Sequence, residues 1–260
     1  MLPPRLAAII ALAALFSGCG SRATGSAVDP GVASLLLPDA RVLGGLHLAQ
    51  LRAAPLYSKL PPAVLSFVGP LNHASDLVFA FNGTDLLTIA RGAFPEPPPG
   101  ATLLAPDLAV AGSPEAVRAA AVRHREGGAG APALLARAGS LASANQVWLV
   151  AQGGGTPLPL SGNWDNLNRV LQATEYLSLT AKVDSRIEIE AAGVCPSADG
   201  ARRLEESVRA ILTLAGAGVH DAELAALLGS VRLSREDRVV RAAFAATADA
   251  SQTLLRQLSR

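Results

Sequence analysis

Three pairs of short β-rich runs, each pair joined by a few turn-forming residues, constrain this chain more than any other feature. Residues 77–81 and 86–90 flank Asn82-Gly83-Thr84-Asp85. Asn-Gly readily supplies the positive φ angles that tight hairpins need. Residues 176–183 and 186–194 flank Asp184-Ser185, and residues 231–233 and 238–245 flank 234–237. Within Arg186-Ile187-Glu188-Ile189-Glu190 the alternation predicts isoleucine inward and charge outward. A strand wet on one face belongs in an antiparallel sheet. Between the hairpins lie segments of helical period. Ser113-Pro114-Glu115 offers a capping hydroxyl, a proline at the first helical position and an acidic first turn. Ser197 is expected to cap the longest helix, with the apolar stripe Leu204, Val208, Ile211, Leu212 and Ala215. That stripe is expected to cover the Ile187/Ile189 face, because each element has one apolar side to bury. Asp249 is expected to cap a last helix carrying Leu254, Leu255 and Leu258. The fold class is α+β: antiparallel sheets built from hairpins, with helices packed on one face. Both parts of the chain alternate hairpins with helices, which suggests two related halves, 35–156 and 157–260.

The first residues have a different character. Arg5 precedes an uninterrupted apolar run, residues 6–16. As a helix that run rises only ~16 Å, against a bilayer core ~30 Å thick. It reads as a targeting segment. Leu15-Phe16-Ser17-Gly18-Cys19 resembles the lipobox of bacterial lipoproteins, with Phe16 standing where leucine is usual. The resemblance implies that residues 1–18 are a signal peptide removed before Cys19. It further implies that the Cys19 thiol is lipidated, that the new amino group is acylated, and that a membrane is the partner through that lipid. Several acyl chains anchor stably where one does not. Gly20 stands where an aspartate would retain such a protein at the inner membrane, which favours the outer membrane if the organism has one. Residues 19–34 are expected to form a tether, Gly/Ser/Ala/Thr-rich over 20–27, with order beginning near Leu35.

Composition excludes one class of partner. The net charge is +1, from 22 basic and 21 acidic residues, and neither half of the chain concentrates either sign. Nucleic-acid binding needs clustered lysine and arginine to neutralise phosphates. Aromatics make up 4% of the chain, so extensive aromatic-anchored recognition surfaces are not expected. The only cysteine besides Cys19 is Cys195. With Cys19 lipidated no disulfide can form within the chain, and Cys195, on the strand face of Ile187, Ile189 and Ala191, is expected to be a buried packing residue.

No catalytic constellation stands out. His47, His73, His124 and His220 form neither an HExxH nor a zinc-ligand spacing with cysteine. His47 lies in the first strand pattern. Gly153-Gly154-Gly155 lacks the Lys-Ser/Thr of a phosphate loop. Ser113, Ser161 and Ser197 sit at caps or turns, not beside a general base. Glu188/Glu190 and Glu205/Glu206 are expected on solvated faces, whereas acid–base catalysis needs a carboxyl shifted by burial. Asn82-Gly83-Thr84 is turn chemistry. No cofactor or metal is expected. Leu37-Pro38-Asp39-Ala40, the strand pattern that follows, residues 76–94 and the turn at 110–116 resemble uncharacterised bacterial secreted proteins that open with LPxDA and a strand. That resemblance implies a fold, not an activity. The expected function is a non-enzymatic binding or scaffolding domain on the envelope membrane, with an envelope protein as partner. The alternative is a solute-binding protein or enzyme with a site in a cleft between the halves.

Overall fold

The computed structural model describes residues 28–60, 62–126, 130–155, 165–218 and 222–247. The expected signal peptide, Cys19, most of the expected tether, Ser161, His220 and the expected C-terminal helix lie outside them. The chain forms two compact units, one of residues 22–57 and 62–150, the other including 58–61 and 151–260. The division falls at 150/151, earlier than the expected 156/157.

In the first unit, helix α1 (Pro30–Ala33) leads into β1 (Val42–His47) and α2 (Leu48–Ala53). Helix α3 (Pro62–Val68) follows, then β2 (Ala74–Phe81), β3 (Leu86–Gly92), β4 (Thr102–Ala105) and β5 (Leu108–Ala111). Helices α4 (Pro114–Glu126) and α5 (Pro132–Ala142) precede β6 (Val147–Gln152), most of which belongs to this unit. The strand order is β4-β5-β3-β2-β1-β6. Pairs β1/β2, β2/β3, β3/β5 and β4/β5 are antiparallel. Gly44 pairs with Phe79, whose ring lies where a Gly44 side chain would be. A Cβ on Gly45 would stand 2.5 Å from the Trp148 ring. Strand β1 carries two glycines because aromatic rings lie across it.

Order begins earlier than Leu35. The carboxylate of Asp29 accepts from the Gly31 and Val32 amides and caps α1, with Pro30 at its first turn. Val32 is already buried, as are Leu35, Leu36 and Leu37. The Asn82–Asp85 turn also differs from the tightest hairpin. Only Gly83 has positive φ, and Asn82 Oδ1 accepts from the amides of both Thr84 and Asp85. Asparagine acts here as a side-chain acceptor bridging a longer turn. Ser113 caps α4 as expected, accepting from the Ala116 amide while donating to Asp85.

The second unit comprises α6 (Asp165–Ala173), β7 (Tyr176–Val183), β8 (Arg186–Val194), α7 (Ala198–Gly218), α8 (Ala222–Gly229), β9 (Arg232–Glu236) and β10 (Val239–Thr247). Its strand order is β7-β8-β10-β9, with all three pairings antiparallel. Register aligns Ala181, Ile189 and Phe244, and likewise Val183, Ile187 and Ala246. All six are buried, forming one apolar face. Strand β9 extends through Ser234, Arg235 and Glu236, which the sequence assigns to a turn. It is an edge strand, so polar side chains on both faces are tolerated. The turn narrows to Asp237-Arg238, with Asp237 in the left-handed region that aspartate enters more readily than most residues.

Two expectations about this unit are corrected. Glu188 does not face water: it is 9% exposed and paired with Arg186. The α7 stripe also covers less than its period suggests. Leu204 is buried with Cys195, Ala201 and Val240, and Val208, Val170 and Leu233 pack on that cluster. Ile211 is 43% exposed and Leu214 73%. The helix packs on the β9/β10 side, at the Gly193/Val240 end of the apolar face, where Leu204 lies over Gly193. Ile187 and Ile189 lie farther along β8. A straight helix ~31 Å long crosses a twisted sheet and stays in contact over only part of its length.

Candidate functional site

Cys19, the residue with the most specific motif, lies outside the described residues. Among those described, the polar side chains that sequence reasoning left unassigned gather at one end of the first unit's sheet. His47 closes β1 and sits opposite Asp76 of β2 in register. Its Nδ1 lies 2.6 Å from Asp76 Oδ1, and its Nε2 lies 2.8 Å from the Ala142 carbonyl at the end of α5. A carboxylate and a carbonyl are both acceptors, so both contacts are satisfied together only by the doubly protonated ring. The Asp76 hydrogen bond raises the His47 pKa against the opposing effect of burial. The Asp76 carboxyl is held below its ordinary value, chiefly by His47. A histidine with both nitrogens committed has no lone pair with which to take a proton from a substrate. The pair instead ties β1, β2 and the end of α5 together.

Beside it, Arg91 near the end of β3 donates to Asp29 of the α1 cap at 2.8 Å and also pairs with Asp107. The Asp29 carboxyl is lowered, chiefly by its hydrogen bond to Arg91. The N-terminal segment is pinned a second time on α4. Ser34 Oγ donates to the Gly31 carbonyl at 2.7 Å, and His124 Nδ1 lies 2.7 Å from the same oxygen. The two contacts of Ser34 Oγ are satisfied together when the serine donates to the carbonyl and the imidazole Nδ1 donates to Ser34 Oγ. Arg123 donates to the Leu35 carbonyl at 3.0 Å, and burial lowers its pKa. Sequence periodicity carries no signal for these contacts, because their partners lie 88 and 90 residues apart.

The remaining candidates are structural. Cys195 is fully buried, and desolvation pushes its thiol pKa up, the opposite of an activated nucleophile. Ser197 accepts from the Gly200 amide at 3.1 Å and caps α7. His73 is exposed. Glu205 is not simply solvated: it bridges Arg209, one turn on, and Arg235 of β9, at 2.8 and 3.0 Å. Those two partners lower its pKa. Glu206 lies 3.6 Å from Arg202. Among the described residues no helix is long and apolar enough to cross a membrane.

Neither a described protein family nor a curated protein matches this sequence. Among solved structures, crystal form III of TP0453 is similar, with a TM-score of 0.54 at 11% identity, covering 88% of this chain and 98% of that one. Crystal form I of the same protein has a TM-score of 0.49 at 11% identity, covering 89% and 98%. At this identity the form III likeness shows the fold: the α+β arrangement of antiparallel strands and helices described above.

Proposed function

We propose that this protein is a lipid-anchored component of the bacterial envelope whose folded part is a non-enzymatic binding or scaffolding domain. The observation that carries the reading is the run at 6–16 followed by Ser17-Gly18-Cys19. Cys19 takes the lipid, and the membrane is the first partner. Gly20 after it favours the outer membrane. Two further observations support the reading. Among the described residues no helix is long and apolar enough to cross a membrane, and a lipid on Cys19 attaches the chain without one. The histidines best placed for acid–base chemistry are consumed in structural bonds.

Mass spectrometry of the mature N-terminus tests the anchor. A diacylglyceryl-modified, acylated Cys19 is expected, and an unmodified terminus at any other residue overturns it. Cys19→Ser is expected to leave the precursor uncleaved or release it from membranes. The binding role is tested by crosslinking in intact cells followed by purification from membranes. A defined envelope protein recovered with wild type and lost with Cys19→Ser supports it. Turnover of a small-molecule library by the purified domain would refute the non-enzymatic reading.

A further inference from the structure

We propose that the end of the first unit's sheet carrying Asp29, Arg91 and Asp107 is the membrane-proximal face of the anchored protein. The inference rests on lipidation of Cys19 and adds to it an orientation. The first described residues are held at a fixed place. Asp29 is held by Arg91, Ser34 by His124, and the Gly130 amide donates to the Ala33 carbonyl at 3.1 Å. Val32, Leu35 and Leu36 are buried around these contacts. The attachment point therefore cannot swing without breaking several bonds and exposing apolar surface. From Cys19 to Asp29 the chain spans ten residues, which reach at most ~36 Å when fully extended.

The opposite end of the same sheet is the Asn82–Asp85 turn. Strand β3 runs from Leu86 beside that turn to Gly92, whose amide donates to the Asp107 carbonyl at 3.1 Å. Its seven residues separate the two ends by ~20 Å. Ten residues of Gly/Ser-rich chain average only ~17 Å end to end, less than that separation, so on average the attached end stays nearer the bilayer than the other. Arg91 is shared between two carboxylates and so offers the bilayer no uncompensated positive charge. Association is therefore expected to depend on the lipid and to be insensitive to salt, unlike attraction to a polybasic surface.

The test uses the mature lipidated protein in phosphatidylcholine/phosphatidylglycerol vesicles containing a headgroup-labelled acceptor lipid. In a Cys195→Ala background, a donor dye is placed on Glu96→Cys, exposed in the loop after β3, or on Thr84→Cys, exposed in the far turn. With the two ends ~20 Å apart, transfer from position 96 is expected to exceed that from 84 by at least about twofold. Equal or reversed transfer from protein that still floats with vesicles overturns the orientation and leaves the anchor standing. Failure to float, with no lipid mass on Cys19, overturns both. A flexible insertion of about twenty residues after Ser21 roughly triples the linker and is expected to erase the difference. Persistence of the gradient would overturn linker reach as its cause.

Discussion

In the first unit, aromatic rings lie across backbone that has no side chain to resist them: Phe79 over Gly44 and Trp148 over Gly45. In the second unit, aliphatic side chains from β7, β8 and β10 line up in register, and helix α7 covers one end of that face. The polar groups differ in the same sense. His47, Asp76, Arg91 and Asp29 join elements distant in sequence, whereas most ion pairs on α7 link residues one helical turn apart. The first unit is thus specified by long-range fits between unlike parts, and the second by repeated local patterns. Rigid, pairwise fits leave little room for substitution, while a regular face with one partly covered helix tolerates change where that helix leaves the sheet.

This contrast predicts a ranking of mutational effects. The largest come from the buried centres of both units. Leu43→Ala and Leu204→Ala each remove a buried side chain and should cost ~2–5 kcal/mol, read by denaturant melts. Hydrogen exchange should localise each loss to its own unit, and a loss spread equally over both would erase the distinction drawn above. Gly45→Ala should come next, at ~1–3 kcal/mol, because a Cβ there meets the Trp148 ring. The equivalent change at Gly216 of α7, where a Cβ meets nothing, should be neutral or slightly stabilising. Equal costs at the two glycines would show that β1 can move away from Trp148.

A third prediction concerns the His47–Asp76 bond and pH. The His47 pKa is raised in the folded chain. Its stabilisation is complete below the unfolded value of ~6.5 and is lost as pH rises through the raised folded value. The Asp76 pKa is lowered, so its contribution is present above ~3.9 and is lost as pH falls through the lower folded value. Asp76→Asn should remove about 1 kcal/mol near pH 6, at the low end for a charge-assisted bond because the carboxylate is partly exposed. It should also flatten the fall in stability on the alkaline side. An unchanged pH profile in this variant would assign the contact no energetic role. The smallest effects belong to the exposed part of α7. Ile211→Ala and Leu214→Ala should shift stability by less than ~0.5 kcal/mol. Glu205→Ala should exceed Glu206→Ala, since Glu205 joins the helix to β9.

How much of this was legible before the structure follows from the range of each interaction. Strand and turn positions at 176–194 follow from a period of two and from turn residues, and β7 and β8 fall where that pattern places them. The helix starts at Ser113 and Ser197 follow from side chains that cap their own backbone. Burial of Cys195 follows from the apolar strand face it extends. The same alternation misplaced Glu188, because period tells which face a residue lies on and not what covers that face. Helical period likewise marked Ile211 as interior. It defines a stripe, but the neighbour's length decides how much of the stripe is covered.

By itself the sequence determined the α+β class and carried the proposal of a targeting segment and a lipidated Cys19, because each depends on contiguous residues and on the periodicity of the local backbone. Only the tertiary structure decided that both ring nitrogens of His47 would meet acceptors, since Asp76 and the Ala142 carbonyl reach it from other elements. It alone decided that Asp29 would be held by Arg91, 62 residues further along the chain. Those outcomes are set by which distant groups share a small volume after the apolar faces are buried, and no local pattern encodes that juxtaposition.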